Sequence, residues 1–367
     1  MAVVVTGAHG FIGKTLMIRL KERGVEAIAL GSDASASDLR SALARATFVF
    51  HLAGVNRPQS EDQFEIGNTG FTRTLRDGLS EAGKTAPIVF ASSTQADRDT
   101  AYGRSKRAAE DALFAHAEAT GAAVRVFRLP NVFGKWARPN YNSAVATFCH
   151  NIARGLPISV HDPAAELSLI HVDDVCDAFL ELLDRPPPGA DFAEARPVYA
   201  TTVGTVADAI RGFAESRGTL TTDRVGTGLI RALYSTYLSY LPPEAFAYDV
   251  PRHADPRGVF VEMLKTPDCG QFSYFTAGPG VTRGQHYHHA KTEKFLVLKG
   301  RARFGFRHIV TGERHEITTE GGEARIVETI PGWTHDITNI GEDEMIVMLW
   351  ANEVFDRARP DTIAEPV

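Results

Sequence analysis

Two groups of residues in this chain have types and spacings that can do chemistry. The first is Tyr102-Gly-Arg-Ser-Lys106, a tyrosine and a lysine four positions apart, preceded by Ser92-Ser93-Thr94 at the end of an apolar run. On a helix, residues four apart share a face, so phenol and ammonium can point into one cleft. A free tyrosine has a pKa of about 10 and is a poor acid near neutrality. A nearby ammonium favours the phenolate, which is the tuning a proton shuttle at a carbonyl needs. The hydroxyl of Thr94 or Ser93 could hold the oxygen that gains or loses the proton. Taken alone, the pair reads better as the polar surface of a helix. The second group is His286, His288, Glu293 and His335. Three imidazoles and a carboxylate suit Zn, Fe, Mn or Ni. His286 and His288 alternate along an expected strand and so face the same side of a sheet. His289 faces the other way in a regular strand and is left out of the ligand set. A lone His-x-His is more often structural, so the site depends on a barrel bringing Glu293 and His335 alongside.

The elements that must position the first group begin at residue 3. Gly7-Ala8-His9-Gly10-Phe11-Ile12-Gly13 directly follows an apolar run, Val3 to Val5, and opens a helical pattern. Glycines there permit a tight turn and close backbone approach to a pyrophosphate at a helix N-terminus. The spacing alone is a weak signal; the strand-turn-helix context makes it a dinucleotide-binding expectation involving Gly7, His9, Gly10, Phe11, Ile12 and Gly13. The second strand ends at Leu30, followed by Gly31-Ser32-Asp33. No carboxylate stands right at that end to repel a 2′-phosphate, and Asp33 comes slightly late, so the reading leans to NADP(H) over NAD(H).

Short apolar runs at 27–30, 47–52, 87–90 and 123–127 alternate with helical patterns, which predicts a parallel sheet covered on both faces, a doubly wound Rossmann-type α/β domain. Pro186 to Gly189 reads as a surface loop within it, and 207–241 as helical and connecting. From about Asp255 the texture changes to short alternating runs at 295–298, 302–306, 324–327 and 345–350, an all-β barrel or sandwich. The division is expected near residue 245, giving domains 1–245 and 246–367.

The residues 7–13, His51-Leu52-Ala53-Gly54, Tyr102 to Lys106, Arg128-Leu-Pro-Asn131-Val-Phe-Gly134 and Ile170-His171-Val172-Asp173-Asp174 resemble the extended short-chain dehydrogenases acting on nucleotide sugars. That resemblance implies Thr94, Tyr102 and Lys106 as the catalytic set. It also implies Leu52, Ala53, Tyr102 and Lys106 against the cofactor, and Asn131 against the sugar nucleotide. Gly280-x5-His286-x-His288-x4-Glu293-x6-Gly300 resembles the first cupin signature, and Pro331-Gly332-Trp-Thr-His335-x3-Asn339 the second. The second departs from the pattern in that Ile330 stands where a proline is usual.

Further segments resemble the CapF/WbjC-type enzymes of bacterial capsule and O-antigen synthesis over essentially the whole chain. They are Asn56-Arg57-Pro58, Phe133 to Trp136, Pro139-Asn-Tyr-Asn142, Leu233 to Pro242, His286-x-His288-His289 and Asn352-Glu-x-Phe355-Asp. The resemblance implies a bifunctional enzyme on a UDP-linked 4-keto-6-deoxy amino sugar. Its cupin would epimerise C3, and its reductase would reduce C4 with NADPH to UDP-N-acetyl-6-deoxy-L-talosamine, toward UDP-N-acetyl-L-fucosamine. Substrate contact at Asn131 and Asn142, zinc in the cupin and a homodimer belong to the same implication. Ser32 departs from a family that can carry a basic residue there. Rival readings are a 4-ketoreductase with a structural or sensing cupin, a cupin oxygenase or ketoisomerase, and a non-catalytic redox sensor.

Composition narrows the field. A net charge of −6 without a long Lys/Arg run argues against nucleic acid or anionic membrane as partner. Cys149, Cys176 and Cys269 form no C-x-x-C pair, which fits a reducing cytoplasm. With neither a leader-like start nor an apolar stretch of spanning length, the expectation is a cytoplasmic protein.

Overall fold

The computed structural model describes all residues except Met1, Pro187, 256–257, 262, 265, 267–269 and 354–357. Cys269, Pro187 and Phe355 of the motifs above therefore lie outside the described residues. The chain divides into two compact units, one of residues 1–133 with 167–200, the other of 134–166 with 201–367.

The first unit is built on a six-stranded sheet: β1 (Val3–Thr6), β2 (Ala27–Leu30), β3 (Phe48–His51), β4 (Ile88–Ser93), β5 (Val124–Leu129) and, after a short β6 (Asn131–Phe133) and β7 (Glu166–His171), β8 (Ala190–Ala193). Its order is β2-β1-β3-β4-β5-β8, every neighbouring pair parallel. β6, β7 and β9 (Tyr199–Thr202) form a separate small sheet. Strand alternation assigns the faces. Val3, Val5, Phe48, Phe50, Val89 and Phe127 pack against α1 (Phe11–Glu22), through Leu16 and Leu20, together with Phe179 and Leu183. Val4, Val49, Ile88, Phe90, Val124 and Val126 pack on the other face against Leu39 and Leu43 of α2 (Ala36–Arg45), with Leu75, Leu79 and Leu113. With both faces buried, the central strands are apolar over most of their length, which is why they read as near-continuous runs. The chain continues through α3 (Asp62–Phe64) and a wide turn, Glu65–Gly70, into α4 (Phe71–Glu81), then α5 (Ala101–Thr120). The strand order reverses between β1 and β3, and the crevice at their carboxyl ends is where such sheets bind ligands.

The second unit contains α6 (Ala144–Ile152), α8 (Val203–Thr219) and α9 (Gly228–Ser239); α7 (Val172–Asp184) belongs to the first. Its strands are β10 (Ala247–Asp249), β11 (Arg252–Asp255), β12 (Gly258–Val261), β13 (Gln271–Ala277), β14 (Thr282–Tyr287), β15 (Glu293–Lys299), β16 (Arg301–His308), β17 (Arg314–Glu320), β18 (Arg325–Glu328), β19 (Trp333–Asn339), β20 (Met345–Ala351) and β21 (Ile363–Ala364). They form two five-stranded antiparallel sheets, β10-β18-β15-β20-β13 and β17-β16-β19-β14-β21, and a β11-β12 hairpin. Among the described residues the two large sheets share no ladder, so the expected barrel is not closed by strand pairing.

Helices α8 and α9, sequence-assigned to the first domain, group here with the β-sheets. Arg217 of α8 pairs with the buried Glu328 of β18, whose carboxylate also meets Lys294 of β15. Burial alone would raise the Glu328 carboxyl, but Arg217 and Lys294 hold it below its ordinary range. Lys294 also donates to the Tyr248 hydroxyl at 3.0 Å.

Candidate active site and candidate metal centre

At the carboxyl end of β1 the chain turns at Gly7 with φ +67°, and a Cβ there would lie 2.7 Å from Ala53 N. Only glycine lets the loop touch the Leu52-Ala53 segment that follows β3. Gly13, inside α1, has the same role toward the loop, since its Cβ would fall on the Gly7 carbonyl. Gly10 N–H donates to Gly7 O at 2.9 Å and Gly10 caps α1 without a side-chain bond or an acidic residue in the first turn. A helix start with no side-chain cap on its amides fits a pyrophosphate. Phe11 and Ile12 turn inward onto the core. His9 is exposed and stands 3.7 Å from Asp33, both beside Gly31 at the end of β2. His51 is structural. It bonds Thr6 and Thr72 at 2.8 Å each, and burial pushes its pKa down to about 3, so it stays neutral.

Tyr102 and Lys106 lie on one face of α5, whose start is capped by Thr100 accepting from Gly103 N–H. Lys106 is buried, donates to the Ala91 carbonyl at 2.7 Å, and sits 4.5 Å from the centre of the Phe90 ring. A Cβ on Gly54 would lie 3.7 Å from its Nζ, so the ammonium reaches the segment following β3. Burial lowers the Lys106 pKa to about 8, opposed by Glu110 one turn further along the helix. Burial raises the Tyr102 phenol and a hydrogen bond with Ser93 opposes it. Of the two candidate hydroxyls, Ser93, the last residue of β4, is the one bonded to Tyr102. Thr94 starts the following 3-10 turn and is exposed.

Two residues not singled out from the sequence, Asn68 and Glu110, support this cluster. Asn68 accepts from Val55 N–H at 2.8 Å and donates to Ser105 at 2.9 Å, tying the segment after β3 to α5. Glu110, buried, accepts from Ser92 and from Arg128. A polar residue on the buried face of an amphipathic helix was the available signal. Asn131 is exposed and donates to the Ser168 carbonyl at 3.3 Å. Asn142, in the second unit, is exposed just before the Ser143 cap of α6.

In the second unit, His286, His288, Glu293 and His335 bring four donor atoms within 4.8 Å of one another. The route differs from a regular strand. A bulge at Gly284-Gln285, with φ +97° and +59°, shifts the register of β14 against β19, and β14 ends at Tyr287. His288 therefore lies past the strand, in a turn closed by Asp361, whose carboxylate accepts from the N–H groups of His289, Ala290 and Lys291 at 2.8, 2.7 and 2.7 Å. Asn352, fully buried, accepts from Thr292 N–H at 2.9 Å just before Glu293.

Glu293 Oε2 is 3.2 Å from His288 Nε2 and 3.6 Å from His335 Nε2, and Lys291 Nζ is 2.7 Å from Oε1. Burial would raise the Glu293 carboxyl, but His288 and its other polar neighbours hold it well below the usual carboxylate range. Burial, then His335 and His288, pushes His286 down to about 3, and burial also lowers His335. Neutral His286 and His335 beside an ionised Glu293 are the ligand-ready forms of these groups. His335 Nε2 is buried with nothing to bond closer than Glu293 Oε2 at 3.6 Å, a position that a divalent cation between the donors would fill. His286, Glu293 and His335 line a cavity of about 190 Å³ whose remaining wall includes Phe275, Phe295, Phe304, Phe306 and Arg283.

Residues 3–193 match the NAD dependent epimerase/dehydratase family, and residues 253–363 the polysaccharide biosynthesis C-terminal domain. A Pseudomonas aeruginosa protein named UDP-2-acetamido-2,6-beta-L-arabino-hexul-4-ose reductase is 56% identical over 99% of this chain and 98% of its own length. The crystal structure of the capsular polysaccharide assembling protein CapF from Staphylococcus aureus aligns over 100% of both chains, at 39% identity and a TM-score of 0.69. A UDP-N-acetylglucosamine 4-epimerase from Bacillus cereus aligns with 58% of this chain and 82% of its own, at 22% identity and a TM-score of 0.51, a likeness of fold. This chain belongs to the NAD dependent epimerase/dehydratase family, among its CapF-type members, in which that domain is followed by a polysaccharide biosynthesis C-terminal domain.

Proposed function

We propose that this protein is a bifunctional enzyme of nucleotide-sugar metabolism that epimerises C3 of a UDP-2-acetamido-2,6-dideoxy-4-hexulose and then reduces C4 with NADPH. The product is UDP-N-acetyl-6-deoxy-L-talosamine, a step toward UDP-N-acetyl-L-fucosamine. Residues 1–245 carry the reduction, residues 246–367 are a zinc cupin that carries the epimerisation, and the working form is a homodimer. The observation that carries the reading is Tyr102 and Lys106 on one face of α5 at the carboxyl end of the parallel sheet, in a chain similar from end to end to a named hexul-4-ose reductase.

The order of steps follows from carbon acidity. A C3 proton is acidic only while C4 is a ketone, because the carbanion delocalises onto the C4 oxygen. When bound, the nicotinamide supplies the hydride that adds to C4, leaving oxidised cofactor. Tyr102 gives its phenolic proton to the C4 oxygen, Ser93 and Thr94 supply the hydroxyls beside it, and the Lys106 ammonium favours the phenolate left behind. Gly7, His9, Gly10, Phe11, Ile12, Gly13, Leu52 and Ala53 form the cofactor cradle; Asn131 and Asn142 contact the sugar nucleotide.

His286, His288, Glu293 and His335 hold the metal, which when bound supplies positive charge for an enolate oxygen. The adjoining cavity is smaller than the ~300 Å³ at which ordinary ligand pockets begin, so it suits one sugar ring rather than a whole nucleotide sugar. NADPH is chosen over NADH because Gly31 and Ser32 set no carboxylate at the end of β2 and the exposed Asp33 is engaged by His9.

The test is Tyr102→Phe. Removing a positioned proton donor lowers C4 reduction by ~10²-fold or more, while NADPH binding and C3 exchange persist. Loss of solvent deuterium incorporation at C3 in that variant contradicts the division of labour.

A further inference from the structure

We propose that the segment Asp361–Glu365 is a positioning strap for the metal centre, with Asp361 aiming His288 and β21 holding His286. The inference rests on the metal reading of the four-donor cluster and concerns residues that are not donors themselves.

The first strand of evidence is Asp361. Its carboxylate gathers three successive backbone N–H groups, of His289, Ala290 and Lys291, at 2.7 to 2.8 Å. A carboxylate in such a nest of amides makes charge-assisted bonds and fixes the path of the turn. That turn separates His288 from Glu293, so it sets the approach of two donors at once. The backbone carbonyl of Asp361 also accepts from His288 Nδ1. With Nδ1 carrying the proton, the lone pair is on Nε2, the nitrogen that faces Glu293 Oε2. The partner of the non-ligating nitrogen is what chooses the tautomer of a metal-binding histidine.

The second strand is independent of Asp361. β21 pairs with the end of β14 in the register His286↔Ala364 and Tyr287↔Ile363. Glu365 N–H donates to Gln285 O at 2.9 Å, at the bulge that aims His286. Glu365 is anchored in turn, its carbonyl accepting from Thr334 and its carboxylate from Arg307 at 2.9 Å. Thr334 immediately precedes His335. One short segment thus bonds next to three of the four donors.

The experiment uses the full chain, stripped of metal with a chelator, as wild type, Asp361→Asn, Asp361→Ala and His288→Ala. Zn2+ is titrated in competition with a chromophoric chelator, Co2+ spectra are recorded, and the thermal midpoint of each metal-free form is measured. Loss of a partner behind a ligand weakens metal affinity by roughly 10–100-fold. Asp361→Ala keeps the backbone carbonyl that accepts from His288 Nδ1 but removes the carboxylate that fixes the turn carrying His288, so it is expected at the lower end of that range, about tenfold, with a weakened and shifted Co2+ visible band. Asp361→Asn keeps one oxygen acceptor and is expected to fall between it and wild type. Asp361 variants that bind Zn2+ as wild type does, while His288→Ala does not, would overturn the strap and leave the metal site standing. A lowered thermal midpoint with unchanged affinity in the folded fraction would also overturn it, reducing Asp361 to a stabilising contact. Wild type that binds no better than His288→Ala would instead sink the metal reading itself.

Discussion

Tyr102 and Lys106 were legible as a pair because helical spacing puts them on one face, but which hydroxyl lies against Tyr102 was not. Ser93 and Thr94 are adjacent, and the choice depends on where β4 stops. Its last residue keeps the strand's alternation and turns Ser93 to Tyr102, whereas Thr94 has already entered the 3-10 turn. Ser93→Ala is therefore expected to cost more in kcat for C4 reduction than Thr94→Ala. The reverse ranking, from steady-state NADPH oxidation by the two variants, would return the role to Thr94. The buried Lys106 gives a second prediction at this scale. Its folded pKa of about 8 lies below the ordinary value near 10.5, so its charge is lost as pH rises through about 8. Reduction should fall on the alkaline side with a limb near 8. By linkage, the folded state binds fewer protons than the unfolded one between these values, so this group favours folding more as pH rises through that window.

At the scale of elements, the glycine loop was readable because a strand, a turn and a helix occur in immediate succession, and Gly7 against Ala53 explains why the turn admits no side chain. The four clustered donors His286, His288, Glu293 and His335 were readable as residues, but their supporting geometry was not. The bulge at Gly284-Gln285 has no periodic signature, and Asp361 closes the His288 turn from more than seventy positions away. Helices α8 and α9 show the same blindness: their apolar pattern is visible, but the grouping of α8 with the β-sheets depends on Arg217 finding Glu328. Replacing Glu328 by Leu leaves two cations without their buried partner, which is expected to cost about 3–5 kcal/mol. Urea unfolding of the variant measures it, and a change under about 1 kcal/mol, the worth of an exposed pair, would contradict the buried network. Because the folded pKa of Glu328 is lowered, its contribution is present above the ordinary carboxylate range and disappears as pH falls through the folded value.

For the whole molecule, the parallel sheet and the change to an all-β region followed from patterning, since alternation and continuous apolar runs report directly on which faces are buried. Closure of the β region was not given by patterning, and its described strands form two five-stranded sheets and a two-stranded hairpin. No helix among the described residues is long and apolar enough to cross a membrane. Because residues 201–245 pack with the second unit, cutting the chain near 245 would strand them, and the two activities are better separated by point variants in the full protein. The most direct measurement is incubation of that full protein with a UDP-2-acetamido-2,6-dideoxy-4-hexulose in deuterated water, with and without NADPH, followed by NMR of the sugar. The expected result is deuterium at C3 without NADPH and a C4 alcohol only with it; reduction without C3 exchange would contradict the epimerase assignment and leave a 4-ketoreductase whose second half has another purpose.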